Sequence, residues 1–415
     1  VQEGSVFSDF LKLLRRSTDL LHDDPLREEI FSTERLEKYA VYLAKELRSH
    51  RRQSGDHTLV RRLKKNADEL TGIYVKLAAA AHAKKAISPA AEWFVDNFYI
   101  VEDQIRQIKL DLPAHYYREL PKLSDGELKS LPRVYALALA FIAHTDSRID
   151  SDTLRRFLIS FQTVMPLSIG ELWAVAITLR IALVVHLLPL AQRIQNARMQ
   201  REEADKLSDR ILALVTSPGA DCSPEVLVKM LASTLDRPEK FDRAFIVQLL
   251  QRLRDQDPKL MPAIDWLANQ LADLGTNPNA LIQLDHNRLA AAQVTVGNII
   301  SSMRFLSQMD WRQFVESISL VDSVFASDPD GTYPQMDFLT RDRYRHVIER
   351  IAKRSKVSEV EVAKHALSLA KTAASHAENS ATGANQHANS PNLAAHIGYY
   401  LVGAGRENFE KVLKY

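Results

Sequence analysis

The chain has 415 residues, 46% of them hydrophobic and 26% charged, close to globular averages, which excludes disorder over most of its length. A net charge of +2, from 54 basic and 52 acidic residues, gives no global pull toward nucleic acid or an acidic substrate. The single cysteine, Cys222, excludes an internal disulfide and any cysteine-rich metal site.

Glycine is scarce. Thirteen in 415 is about 3%, against an average near 7%, and tight-turned sheets need more. Apolar residues three and four apart predict helices near 5–14, 25–52, 58–86, 89–110, 114–120, 125–146, 151–163, 168–215, 223–234, 238–254, 258–274, 278–308, 310–326, 338–354, 358–377, 391–402 and 405–413. Capping boxes at Ser124–Glu127, Ser168–Glu171 and Ser358–Glu361 mark three of the starts. Ser88-Pro89, Ser223-Pro224, Asp257-Pro258 and Asn277-Pro278 set an N-cap before a first-turn proline. Pro166, Pro189, Pro218, Pro262 and Pro334 are expected kinks or ends. The expected fold is all-α, a large multi-helix assembly. It divides into an N-terminal helical arm with a basic cluster (1–87), a helical subdomain (88–217) and a second subdomain (218–415), with an exposed polar loop near 376–392.

No leader or membrane span is expected. The longest apolar run, Ile181 to Leu190, is broken by His186 and Pro189, whereas a bilayer span needs about 20 mostly apolar residues.

Motifs for chemistry are sparse. Neither G-x-G-x-x-G nor G-x-x-x-x-G-K-[ST] occurs, so the two commonest phosphate-cradling loops are absent. Nor is there an H-E-x-x-H or a G-x-S-x-G motif. The Asp-x-Asp pairs Asp150/Asp152, Asp255/Asp257 and Asp328/Asp330 could hold a divalent ion, but caps and a turn account for aspartate at each. His365, His376 and His387 recur every 11 residues, about 16 Å apart on a helix and too far to share an ion. Trp93, Phe98 and Tyr99 lie beside Asp96, Glu102 and Asp103. Acids beside an aromatic platform suit a sugar, and equally an ordinary amphipathic helix. The basic run from Arg48 to Lys65 has seven Lys/Arg and one acid. It reads as an attractor of phosphates or anionic lipid heads, or as a solvated helix face. Arg341 and Arg345, four apart, should repel unless carboxylates or a polyanion lie between them. The structural version places acids there, beside Asp342 and Arg350, with Asp337 or Thr340 capping the helix.

Three stretches go further. They are SPAAEWFVDNFYIVEDQIRQIKLDLPAHYYRELPKL (Ser88 to Leu123); Leu131-Pro132-Arg133-Val134-Tyr135, Ile142-Ala143-His144-Thr145-Asp146 and Pro166 to Trp173 (PLSIGELW); and YPQMDFLTRDRYRHVIER (Tyr333 to Arg350) followed by His396 to Leu401 (HIGYYL). Together, in this order, they resemble the N-terminal soluble region of the cyclic β-1,2-glucan synthases. The likeness runs from about 88 to 415, is looser from about 195 to 295, and is weak or absent in 1–87.

The resemblance implies a bacterial inner-membrane glycosyltransferase that polymerises glucose from UDP-glucose. This segment would lie on the cytoplasmic face, ahead of the spans and the transferase. The transferase's Gln-x-x-Arg-Trp signature has no counterpart, since no Arg-Trp dipeptide occurs. UDP-glucose and a divalent metal are then expected elsewhere in the full-length protein, with no cofactor, no metal and no catalytic residue in this segment. Expected partners are the synthase's other domains and β-1,2-glucan, with no nucleic acid and no transmembrane segment in this chain. Candidate carbohydrate or partner contacts are Trp93, Asp96, Glu102, Asp103, Tyr116, Tyr117, Arg118, Arg341 and Arg345. The function expected is that of a non-catalytic accessory domain that docks the transferase or later domains or guides glucan. The alternative is a carbohydrate-active enzyme domain acting on UDP-glucose or β-1,2-glucan.

Overall fold

The computed structural model describes residues 29–47, 49–50, 58–111, 114–126, 128–217, 223–235, 243–254, 256–273, 275–355, 357–381 and 393–413. The helix expected over 5–14, most of the basic run between Arg48 and His57, Cys222, Glu127, Asp255, His387 and residues 382–392 of the polar loop lie outside them.

Eighteen α-helices and one two-stranded ladder make up the regular structure of the described residues, so the fold is all-α. In chain order the helices are α1 (Thr33–Glu46), α2 (Thr58–His82), α3 (Pro89–Asp96), α4 (Phe98–Asp111), α5 (Ala114–Glu119), α6 (Arg133–His144), α7 (Ser151–Gln162), α8 (Ile169–Thr216), α9 (Pro224–Leu235), α10 (Arg243–Leu253), α11 (Met261–Asp273), α12 (Pro278–Gln308), α13 (Trp311–Ile318), α14 (Leu320–Phe325), α15 (Phe338–Ser355), α16 (Glu359–Ala381), α17 (Gly398–Leu401) and α18 (Arg406–Val412). The ladder pairs β1 (Ser49–His50) antiparallel with β2 (Lys122–Leu123).

Several helices read from the sequence are shorter or split: 58–86 ends at His82 and 391–402 divides into a 3₁₀ turn (Leu393–Ala395) and α17, and four more have a clear local reason. The first ends at Glu46, and Ser49 and His50 pair with β2 instead. Helix 89–110 breaks at Asn97, whose side chain donates to the Trp93 carbonyl at 2.8 Å. Ser319 divides 310–326, ending α13 and capping α14 through Asp322 N at 3.1 Å. The Ser124 box starts no helix. Gly126 and Ser130 take positive φ, Ser130 N donates to Leu123 O and Leu123 N to Leu131 O, and α6 begins only after Pro132. Two helices outrun expectation. Pro189 sits inside α8 without ending it, and α16 continues to Ala381.

Three buried clusters hold the fold together, and α8 runs through all of them. Its first residue, Ile169, joins a C-terminal cluster with Phe325, Tyr333, Ile348, Ile351, Val362 and Leu401. Leu172 to Ile194 lie in the largest cluster, with α1 to α7 and the second half of α12. Ala204, Leu207, Ile211 and Val215 pack with α9, α10, α11 and the start of α12. At 48 residues, α8 is about 72 Å long. Its apolar part is long and hydrophobic enough to cross a membrane by length and composition, and 83% of that stretch is buried in protein. Beside it, every residue of α6 is buried, as in a helix surrounded on all sides by others.

Candidate functional site

The stretches singled out in sequence converge where α8 begins. Arg133, at the start of α6, and Glu171, in the first turn of α8, form a buried bidentate pair. Nε donates to Oε1 at 2.9 Å and Nη2 to Oε2 at 2.7 Å. Nη2 also reaches the Pro166 carbonyl at 3.2 Å. Glu171 accepts from Ser168 N and Oγ at 3.0 Å each, completing the capping box. Tyr116 on α5 donates to the Gly170 carbonyl at 2.5 Å, and burial pushes its hydroxyl pKa up, helped by Glu349. The first amide of α8, on Ile169, donates to Glu359 of α16 at 2.7 Å. Helix N-termini hold such orphan donors and favour carboxylates. Lys353 of α15 spans Glu119 at 2.7 Å and Glu349 at 3.0 Å. One helix start thus ties α5, α6 and α16 together, with Lys353 linking α5 to α15 beside it, and both oxygens of Glu171 are engaged by these bonds.

Arg345 organises a second knot. Its side chain is 1% exposed and meets Asp322 at 3.1 Å, Asp342 at 3.2 Å and Glu316. Arg341 reaches the other oxygen of Glu316 at 3.1 Å. The acids required between the two arginines are therefore present, two of them from α13 and α14. Tyr333 donates to Asp322 at 2.5 Å, and burial raises its pKa, with the Asp322 charge acting in the same direction. Asp337 caps α15 through Thr340 N at 2.7 Å. The Arg345 guanidinium also lies 5.0 Å over the Phe338 ring, which meets Trp173 edge-on at 6.0 Å.

Sequence reading missed a third group. Asp328, read as part of a turn, is buried, with Oδ2 2.5 Å from His396 Nδ1 and Oδ1 accepting Ile397 N at 3.1 Å. His396 Nε2 lies 3.1 Å from the Tyr344 hydroxyl. Asp328 and His396 are 68 residues apart, so spacing could not join them, although His396 opens one of the quoted stretches. Another polar node fixes α12 to the α6–α7 turn. Asp146 accepts from Thr295 at 2.8 Å and Asn298 at 2.9 Å, and Ser147 Oγ lies 2.7 Å from His186 Nδ1. Ser147 is 0% exposed, while His186 is half-buried.

The other candidate contacts sit apart from these knots. Tyr117 is 1% exposed, with the buried Lys122 ammonium 4.9 Å over its ring. Burial, with help from Arg118, lowers the Lys122 pKa. Arg118 is exposed. Asp96 ends α3 and Asp103 belongs to α4, so the break at Asn97 removes the single helix that put them on one face. Asp96 and Glu102 are exposed, and Asp103 pairs with Arg106. Trp93 and Tyr99 face solvent, whereas Phe98 is buried against Tyr74 at 4.2 Å. Asp150 caps Thr153 N at 2.9 Å and Asp257 caps Lys259 N at 2.8 Å. Among the described residues, no three His, Cys, Asp or Glu side chains cluster as a metal site would need.

No protein-family model matches the chain. Over 395 residues, 95% of its length, it is 32% identical to the cyclic beta-(1,2)-glucan synthase NdvB of Rhizobium meliloti (strain 1021). The chain spans 13% of that protein, so what it resembles is one segment of a much longer polypeptide. A match over 95% of the chain reaches well into the first 87 residues, where the quoted motifs gave weak resemblance or none.

Proposed function

We propose that this chain is a helical, non-catalytic module of a cyclic β-(1,2)-glucan synthase. In this reading it lies at the cytoplasmic face of the bacterial inner membrane, beside the domains that transfer glucose from UDP-glucose, and supports them by docking and by guiding glucan. The observation that carries the reading is the 32% identity over nearly the whole chain to a segment of such a synthase. The non-catalytic part is supported by the use of the charged motif residues. Arg133, Glu171 and Arg345 are all engaged in ion pairs buried inside the fold. Transfer from a sugar nucleotide needs stabilisation of the departing diphosphate and a base placed for the acceptor hydroxyl.

The test incubates the purified chain with UDP-glucose, Mg²⁺ or Mn²⁺ and a β-1,2-glucan primer. No chain-dependent UDP release is expected. Release that disappears when Asp150 and Asp152 are both changed to Asn would overturn the reading in favour of an enzyme.

A further inference from the structure

Two aromatic side chains depart from the pattern of this fold. Trp93 is 43% exposed and Tyr99 62%, whereas the other described aromatic rings are buried or half-buried. Both stand beside one face of α12. A methyl group on Gly297 would sit 3.9 Å from the Trp93 indole nitrogen, at ordinary contact distance, so the indole lies directly over the helix at this position. Arg304 donates from Nη2 to Asn97 Oδ1 at 2.6 Å and reaches the Tyr99 hydroxyl at 3.4 Å. Gly297 and Arg304 are seven residues apart, two turns of helix, so the two rings are anchored about 10 Å apart along one face. Ser301 lies exposed between the anchors.

We infer that this face of α12 binds a neutral glucan chain, with Trp93 and Tyr99 as stacking platforms and Arg304 supplying donors to sugar hydroxyls. The inference rests on the reading of the chain as a glucan-synthase module and gives that module its ligand surface. Large rings with a polar tip gain by covering an apolar sugar face while leaving the surrounding hydroxyls wet. A stable protein interface of about 800 Å² per partner has an apolar centre. Here the ground between the rings is small and polar, and Val294 is the one large aliphatic side chain that α12 exposes. Glu92, Asp96 and Glu102 are exposed nearby, which disfavours a phosphorylated or otherwise anionic ligand.

The test is a titration of the 415-residue chain with a linear β-1,2-gluco-oligosaccharide, following the indole N–H resonances. The Trp93 resonance, identified by its loss in Trp93→Phe, should shift saturably, and those of Trp266 and Trp311 should stay in place. Trp93→Ala and Tyr99→Ala should each weaken binding at least about tenfold with unchanged circular dichroism. Arg304→Ala provides a second route should either aromatic variant misfold. A Trp93 resonance that ignores the sugar, or variants that bind as well as the parent, would overturn the proposal. A Trp93 shift that follows protein concentration without sugar would also do so, by making this face a self-association surface. These outcomes are separate from UDP release, which bears on the non-catalytic reading alone.

Discussion

His186 sits within the bundle against Ser147, and burial, reinforced by Arg193, pushes its pKa down to about 4. In an unfolded chain a histidine titrates near 6.5. Below about pH 6.5 the unfolded state therefore takes up a proton that the native state refuses, and stability falls with pH until about 4. The loss from this group approaches about 3 kcal/mol. His144, stacked 3.9 Å from Phe31 and with its pKa lowered by burial, acts in the same direction. Urea midpoints measured between about pH 5 and 7, above most carboxylate titrations, should drop toward acid. His186→Gln should flatten that slope, and an unaltered slope in the variant would assign the effect elsewhere. Lys84 offers the opposite kind of change. It ends α2 at φ 54, with Lys84 N on Ala81 O and Lys85 N on Ala80 O, a Schellman geometry that favours glycine. Gly275 fills the same role after α11. Lys84→Gly should stabilise by about 0.5–1 kcal/mol, and a lower melting temperature would contradict this. Gly398 is constrained differently, because a methyl group there would land on the Tyr344 hydroxyl and the His396 ring. Gly398→Ala should destabilise by about 1–3 kcal/mol as those groups are forced apart, and an unchanged melting temperature would count against that constraint. What sequence reading could see at this scale was local. The pairing of Arg341 and Arg345 with acids followed from two like charges one turn apart. Asp328 with His396 did not, because that contact is made only by tertiary folding.

At the scale of elements, caps carried most of the legibility. Ser168–Glu171 and Ser358–Glu361 form the reciprocal bonds expected of them, and Ser88, Asp257 and Asn277 cap as read. The failures came where a capping pattern met a stronger constraint. Ser124 lies in a loop closed by bonds between Leu123 and residues 130–131, and Pro132 postpones the helix. Pro189 stays helical because Val184, Leu187 and Leu190 hold α8 inside the core on either side of it. The Trp93 platform was seen, but the break at Asn97 was not, so its acids were assigned to one helix. The junction at the start of α8 carries its own prediction. Removing one partner of a buried pair leaves the other charged and unsatisfied. Arg133→Met should therefore cost about 3–5 kcal/mol by exposing Glu171 to an apolar surround. Combining it with Glu171→Leu should recover much of that loss, though the capping box is also sacrificed. A double variant whose cost equals the sum of the two single-variant costs, measured by chemical denaturation, would mean that the pair contributes no coupling.

Across the whole molecule, α8 and α12 are the helices that enter both the largest cluster and the one built on α9 to α11. The stretch of α8 between those clusters, Gln195 to Glu203, is polar apart from Ala197 and Met199. It is held by Arg198–Glu202, Lys85–Glu202 and Arg201–Asp285 contacts, and partly exposed ion pairs of this kind contribute little each. Releasing α9 to α11 would thus require α8 and α12 to melt only from this polar waist outward. The apolar packing around Leu172 to Leu190 would stay intact. A subglobal opening of lower free energy than global unfolding is the physical expectation for such a layout. Ile211 is 0% exposed in the smaller cluster, and Ile181 is 0% exposed in the larger one. Ile211→Ala should cost about 2–5 kcal/mol, and the cost should fall on the opening of the smaller cluster alone. Native-state hydrogen exchange would then show faster exchange across 204–215 and 243–253, with amides around 175–185 and throughout α6 unchanged. Ile181→Ala, by contrast, should lower protection throughout, because the smaller cluster has no support for its two shared helices once the larger one opens. Equal loss of protection in both regions on Ile211→Ala would mean that α8 transmits the perturbation along its length and that the clusters unfold as one unit.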